Sequence, residues 1–303
     1  MANEQEKLKE LLQKGFFTQK EIAKRLNVST STISQYLGDK YSGDVNLINE
    51  KVAKLLKTTE AKTQNDVKRI QLNFVQTSVA TRIFNIIKMC QLNGEIGVCF
   101  GRSGYGKTTA CKRFAAQNYG VIFIDPSENA SKKEVIKQLA SELGIDTSDL
   151  TFRIEAMIVD KLINRDYVLI IDEAENLKSS VFRTLRKIHD RCNGTLGLLF
   201  VGTERLYYNL CRMKGEFEYL TNRIACVEAL DCLQTKDVKA LVEQIFPNVE
   251  DSIINAFKVA AHNNARELFN VLKRTSDFVN SGHLLSPQTI AATKQCFIGG
   301  LAV

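Results

Sequence analysis

The chain has 303 residues, 44% hydrophobic and 25% charged, which is ordinary for a soluble globular protein large enough for two or three domains. No apolar stretch approaches the roughly 20 residues of a membrane span, and the charged opening MANEQEKLKELLQKG does not read as a signal peptide, so a cytoplasmic protein without membrane contact is expected. The net charge of +7 sits in residues 1–229, while residues 230–303 carry equal numbers of each sign; a polyanion such as nucleic acid is compatible with that surplus but not required by it. The eight cysteines, at 90, 99, 111, 192, 211, 226, 232 and 296, form no CxxC pair and are expected as reduced thiols.

Residues 4–14 have helical spacing, with Leu8, Leu11 and Leu12 on one face. Two short helices follow within residues 18–37, turning at Asn27, one of the few residues besides glycine that tolerates a left-handed backbone. Ala23 is small where they cross, Ile22, Leu26, Val28, Ile33 and Leu37 supply a core, and Ser29 is placed to cap the second helix. That helix offers Thr30, Ser31, Thr32, Ser34 and Gln35 outward, short hydrogen-bonding side chains suited to a DNA groove. The pattern resembles the helix-turn-helix of phage repressors; a helical bundle used for protein contact stays open. A turn over residues 39–44 and a helix over 45–57 precede a polar stretch at 58–73 that reads as a linker.

A helix is expected over residues 77–91, then a buried strand at 96–100 running into Gly101, Arg102, Ser103, Gly104, Tyr105, Gly106, Lys107, Thr108 and Thr109, with helical spacing resuming at once. This is GxxxxGK[ST] between a strand and a helix, the context of a phosphate-binding P-loop. Glycines let successive N–H groups point inward at the phosphates of ATP, and the helix N-terminus adds its positive end. Lys107 is expected on the β/γ oxygens and the Thr108 hydroxyl on Mg²⁺.

Residues 121–124 form a second apolar run, a capping box at Ser131 and Glu134 opens a helix to 143, and residues 152–164 give another. Strands alternating with helices indicate an α/β fold with a parallel sheet covered on both faces. Residues 167–171 make a central strand ending in Asp172 and Glu173, at the C-terminal edge where such sheets place ligands. Asp172 is assigned to Mg²⁺ and Glu173 to polarising the attacking water. On the helix over 180–190, Phe182, Leu185 and Ile188 face inward while Arg183, Arg186 and Lys187 share another face, either a solvated basic surface or one that tracks phosphates. A strand over 196–201 ends at Gly202 and Thr203, and Arg223 precedes a short strand over 224–227. From residue 230 the pattern is helical only, with Thr235 expected as a cap, Arg266 at the start of one helix, and Ser286 with Pro287 opening the last.

Residues 77–300 resemble the AAA+ ATPases. The resemblance implies a sheet of strand order 5-1-4-3-2 and a helical lid, with residues 101–108 as Walker A, Asp172 and Glu173 as Walker B, Thr203 as sensor 1, Arg223 as arginine finger and Arg266 as sensor 2. Thr203 stands where asparagine is commoner and Asn263 where glycine often precedes the sensor 2 arginine; Arg205 and Arg212 remain alternatives for the finger. The domains expected are a helix-turn-helix domain at 1–60, a linker at 61–76, the ATPase core at 77–229 and the lid at 230–303. That order, with the IIDEAE run and Asn222-Arg223-Ile224-Ala225, is similar to the AAA+ ATPases of phage DNA transposition. This narrower resemblance implies a bacterial-cytoplasm ATPase that binds double-stranded DNA with little regard for sequence, assembles head to tail into an oligomer or helical filament with ATP, and delivers target DNA to a transposase. Lys132, Lys133, Arg153, Arg183, Arg186 and Lys187 are the candidates for its DNA groove. A transcription regulator gated by ATP, and a replication initiator or helicase loader, are the other readings.

Overall fold

A computed structural model describes residues 4–13, 18–38, 40–64, 72–212 and 214–295, so Asp39, Cys296 and residues 65–71 of the expected linker lie outside the described residues. The chain divides into two compact units, Met1–Gln71 and Leu72–Val303.

The first unit holds α1 (Glu4–Gln13), α2 (Gln19–Leu26), α3 (Thr30–Leu37) and α4 (Val45–Gln64). A capping box starts α2: Thr18 Oγ1 accepts the Glu21 N–H and Glu21 returns a carboxylate oxygen to the Thr18 N–H. Asn27 stops α2 at φ 53°, and Ser29 caps α3 by accepting the Thr32 N–H at 3.0 Å. Leu8, Ile22, Ala23, Leu26, Ile33, Ile48, Val52 and Leu56 share one core with Tyr36, which follows Ile33 by three residues on α3. Thr30, Ser31, Ser34 and Gln35 are exposed; Thr32 is half-buried, its hydroxyl 2.8 Å from that of Ser29. The helix expected to end at 57 continues to Gln64, because residues 58–64, three threonines among Glu, Ala, Lys and Gln, hold neither glycine nor proline to break it.

In the second unit α5 (Ser78–Asn93) leads to β1 (Ile96–Phe100), α6 (Lys107–Gln117), β2 (Val121–Ile124), α7 (Lys132–Glu142), α8 (Thr151–Leu162), β3 (Tyr167–Ile171), a single 3₁₀ turn (Ala174–Asn176) and α9 (Ser179–Arg191). Then follow β4 (Leu196–Gly202), α10 (Glu204–Arg212), α11 (Lys214–Thr221), β5 (Ile224–Ala229) and the lid helices α12 (Thr235–Val242), α13 (Asp251–Ala260), α14 (Ala265–Asn280) and α15 (Pro287–Gln295). The five strands form one parallel sheet in the order β2-β3-β4-β1-β5, as expected.

Because strand side chains alternate, β3 divides its apolar residues between two layers. Leu169 and Ile171 pack with α7, α8 and α9, while Val168 and Ile170 pack with α5, α6 and the lid. All four are at most 1% exposed, each contributing about 1.5–3 kcal/mol by burial. The lid shares this second core and is pinned to α5 by Asp237, which accepts the Ser78 N–H at 2.8 Å and the Gln234 N–H at 2.9 Å. Gln234 therefore holds the cap position of α12, and Thr235, expected there, is the first helical residue and accepts from Lys258 Nζ instead.

Candidate functional site

The site begins where β1 leaves the sheet. Gly104 and Gly106 adopt φ of 84° and 89°, a region costly to side chains, and curl residues 101–106 toward the first turn of α6. Gly106 holds the N-cap of α6 with no side-chain hydrogen bond, so the leading N–H groups of that helix have no side-chain partner at the cap. Lys107, 8% exposed, donates to the carbonyls of Gly101 (2.6 Å) and Arg102 (2.9 Å). Burial lowers the pKa of its ammonium from the usual lysine value, opposed by the charges of Glu175 and Asp172.

Asp172 leaves β3 1% exposed. Burial raises its carboxyl above the usual carboxylate range, opposed by hydrogen bonds from the Thr108 hydroxyl and the Glu173 N–H. Its Oδ2 is buried with no hydrogen-bond partner. An orphaned carboxylate oxygen in the same cleft as Thr108 fits Mg²⁺, a hard cation that takes one or two protein oxygens and completes its shell with water and phosphate. Glu173 is exposed, at φ 47°, and Asn176 Nδ2 donates to its Oε2 at 3.4 Å. Its carboxyl is also raised, by desolvation and then by the charges of Asp125, Asp172, Glu175 and Glu128.

These residues line one cleft of about 330 Å³ with Ser103, Gly104, Gly106, Thr108 and Thr109 from the P-loop, Gly202 and Thr203 from β4, and Ala265, Arg266 and Phe269 from α14. Arg266 Nη1 lies 3.4 Å from Ser103 Oγ. Gly101, Arg102 and Tyr105 shape the loop without lining the cleft: Tyr105 packs on the core, and Arg102 Nε stands 3.8 Å from Glu204. The motifs do not point to Glu175 or Phe269. Glu175 is the fourth residue of the DEAE run that follows β3, and Phe269 follows Arg266 by three residues on α14.

Arg223 does not join the cleft of its own chain. It is exposed and donates to Asp190 Oδ1 at 2.8 Å, while Arg186 reaches Asp190 Oδ2 at 3.1 Å. Arg205 is exposed on the first turn of α10, and the side chain of Arg212 lies outside the described residues. Arg183 and Arg186 stack over Tyr219, 5.1 and 5.8 Å from its ring centre, and Lys187 is exposed beside them. Lys132 pairs with Glu155 at 2.8 Å, Arg153 with Asp149 at 3.4 Å, and Lys133 is exposed.

A family described as AAA domain matches residues 91–210. The ATP-dependent target DNA activator B of Escherichia phage Mu is 30% identical over 269 residues, covering 87% of this chain and 84% of that protein. The chain belongs to the target DNA activator B family. Another member, the Mu-like prophage FluMu DNA transposition protein B of Haemophilus influenzae, is 27% identical over 78% of this chain and 83% of its own length. Among solved structures, the ADP form of the Aeropyrum pernix ORC2 protein shares the fold, with a TM-score of 0.57 at 16% identity over 76% of this chain and 70% of that one. In this chain Asn263 has φ 56°, a left-handed backbone that asparagine tolerates better than most residues with a side chain. No helix among the described residues is long and apolar enough to cross a membrane.

Proposed function

We propose that the chain is an ATPase that activates target DNA for transposition, binding duplex DNA with little sequence preference as an ATP-dependent assembly in the bacterial cytoplasm and handing it to a transposase. The observation that carries this reading is the cleft: a P-loop, a buried orphaned carboxylate, a raised acid and a lid arginine converge in a member of the target DNA activator B family.

In that cleft the P-loop N–H groups and Lys107 bind the triphosphate, and Arg266 approaches it from the lid. The Thr108 hydroxyl and the Asp172 carboxylate are the groups to hold Mg²⁺, whose charge would offset that building on the phosphates. Glu173, its basicity increased by its surroundings, takes the proton of the attacking water, and Thr203 orients that water from the other side. Arg223, exposed and outside the cleft of its own chain, is offered to the nucleotide of a neighbouring copy. A finger supplied in trans is worth roughly 10³–10⁵ in rate, so hydrolysis runs faster in the assembly than in single chains. A head-to-tail contact of this kind extends into a helix if the rotation does not close.

DNA follows the exposed cations of α7, α8 and α9 by phosphate contact. With a net charge of only +7 per chain, firm binding comes from many subunits acting together. The helices carrying Thr30, Ser31, Thr32 and Gln35 add a second DNA contact. Nuclease footprinting tests the reading: with ATP the protein protects duplexes of unrelated sequence along their whole length. Protection of a single site, with or without ATP, indicates a transcription regulator instead.

A further inference from the structure

Three carboxylates follow one another from the end of β3, and the proposed chemistry uses only Asp172 and Glu173. Glu175 is the one tied to the opposite wall of the cleft. Its Oε1 accepts the Thr203 N–H at 3.0 Å, joining the turn after β3 to the first residue beyond β4. Its Oε2 is buried without a partner and lies against Gly202, where a Cβ would stand 2.3 Å from that oxygen. Glu175, Gly202 and Thr203 all line the cleft.

This arrangement is a poor source of stability. A buried carboxylate oxygen with no donor has given up its water for no hydrogen bond in exchange, the charge of Lys107 being its partial offset. The Glu175 charge also adds to those that make Glu173 harder to ionise. What the contact does supply is geometry. The ladder between β3 and β4 ends at Ile171 and Phe200, and beyond it the bond from Thr203 to Glu175 carries the turn onto the tip of β4.

We infer that Glu175 is a positioning residue for ATP hydrolysis, holding Thr203 and Glu173 at the separation that lets both face one water. This rests on the roles proposed above for those two residues. Gly202 is part of the same device, since a side chain there would displace the carboxylate.

The test is steady-state ATP turnover by the full chain, with kcat and KM resolved, for Glu175→Ala, Glu175→Asp, Glu175→Gln, Thr203→Ala, the Glu175→Ala/Thr203→Ala double variant and Glu173→Gln. Alanine and aspartate fall short of the Thr203 N–H, so both lower kcat by about tenfold or more with KM little changed. Glutamine has the reach and accepts the same bond, so it recovers most of that loss. The double variant is no slower than the slower single one, because both residues act through the same water. Full kcat in Glu175→Ala overturns the inference, as does an active Glu175→Asp beside an inactive Glu175→Gln, or losses that multiply in the double variant. If alanine prevents folding, the aspartate and glutamine variants decide alone. A normal rate in Glu173→Gln removes the site reading and the inference with it; an inactive Glu173→Gln beside a normal Glu175→Ala removes the inference only.

Discussion

Asn264 fills the space above Gly104. Its Nδ2 donates to the Ser103 carbonyl at 2.8 Å, its Oδ1 caps α14 through the N–H groups of Arg266 and Glu267, and a Cβ on Gly104 would stand 2.3 Å from that same oxygen. The Arg266 N–H adds a bond to the Gly104 carbonyl at 3.1 Å. The P-loop and the helix that carries Arg266 are therefore joined directly to each other.

Gly104→Ala meets both a φ of 84° and the Asn264 side chain, so it costs about 2 kcal/mol or more in urea unfolding and weakens nucleotide binding. Asn264→Ala removes the α14 cap and the bond to the Ser103 carbonyl together and costs about 1–2 kcal/mol, with a smaller loss of nucleotide affinity than Gly104→Ala.

Asp172→Asn abolishes hydrolysis and stabilises the nucleotide-free protein by roughly 1 kcal/mol at neutral pH, as active-site acids held against their preference do. The Asp172 pKa is raised on folding, so the native state keeps its proton to higher pH than the unfolded chain. The gain over wild type is therefore small at pH below the ordinary aspartate value and grows as pH rises through the raised one. Thermal unfolding across that range measures it.

Glu173→Gln keeps ATP affinity and lengthens the life of DNA complexes, because hydrolysis no longer resets them. In the wild type the base must be ionised, and its raised pKa moves the acid limb of the pH–kcat/KM profile, which reports the free protein, above that of an ordinary glutamate. A limb at the value of a free glutamate, or rapid DNA release by the variant despite normal ATP affinity, contradicts the role.

Arg183 is exposed over the Tyr219 ring, and its removal leaves the core of α9 intact. If its guanidinium meets a phosphate, Arg183→Ala flattens the slope of log K against log salt by about 0.9 for each subunit bound to duplex DNA. ATP affinity should be unaffected.

The P-loop is legible in the sequence because strand, GxxxxGKT and helix are contiguous, so neighbouring residues determine the local geometry. The sheet order follows from a resemblance whose motifs lie at the strand ends. The continuation of α4 as far as Gln64 is hidden because polar composition mimics a linker, although nothing in that stretch breaks a helix. The arginines around α10 and α11 draw attention away from their helical spacing, although Leu206 and Leu210, four residues apart, are both buried. Tyr36, absent from the expected core, buries its ring there while its hydroxyl donates to Asn49, the two ends of one side chain taking opposite surroundings. Glu175 and Asn264 cannot be singled out along the chain, since their partners, Thr203 and Ser103, lie 28 and 161 residues away and meet them only in the fold.

The central claim is that a triphosphate held between neighbouring copies lets a weakly cationic chain grip duplex DNA. Electron microscopy of the full chain with linear DNA, with ATP and without nucleotide, tests it most directly. Continuous protein-coated DNA with ATP, and bare DNA beside dispersed protein without it, is the predicted result. Equal coating in both samples, or single subunits on DNA whatever the nucleotide, would contradict it.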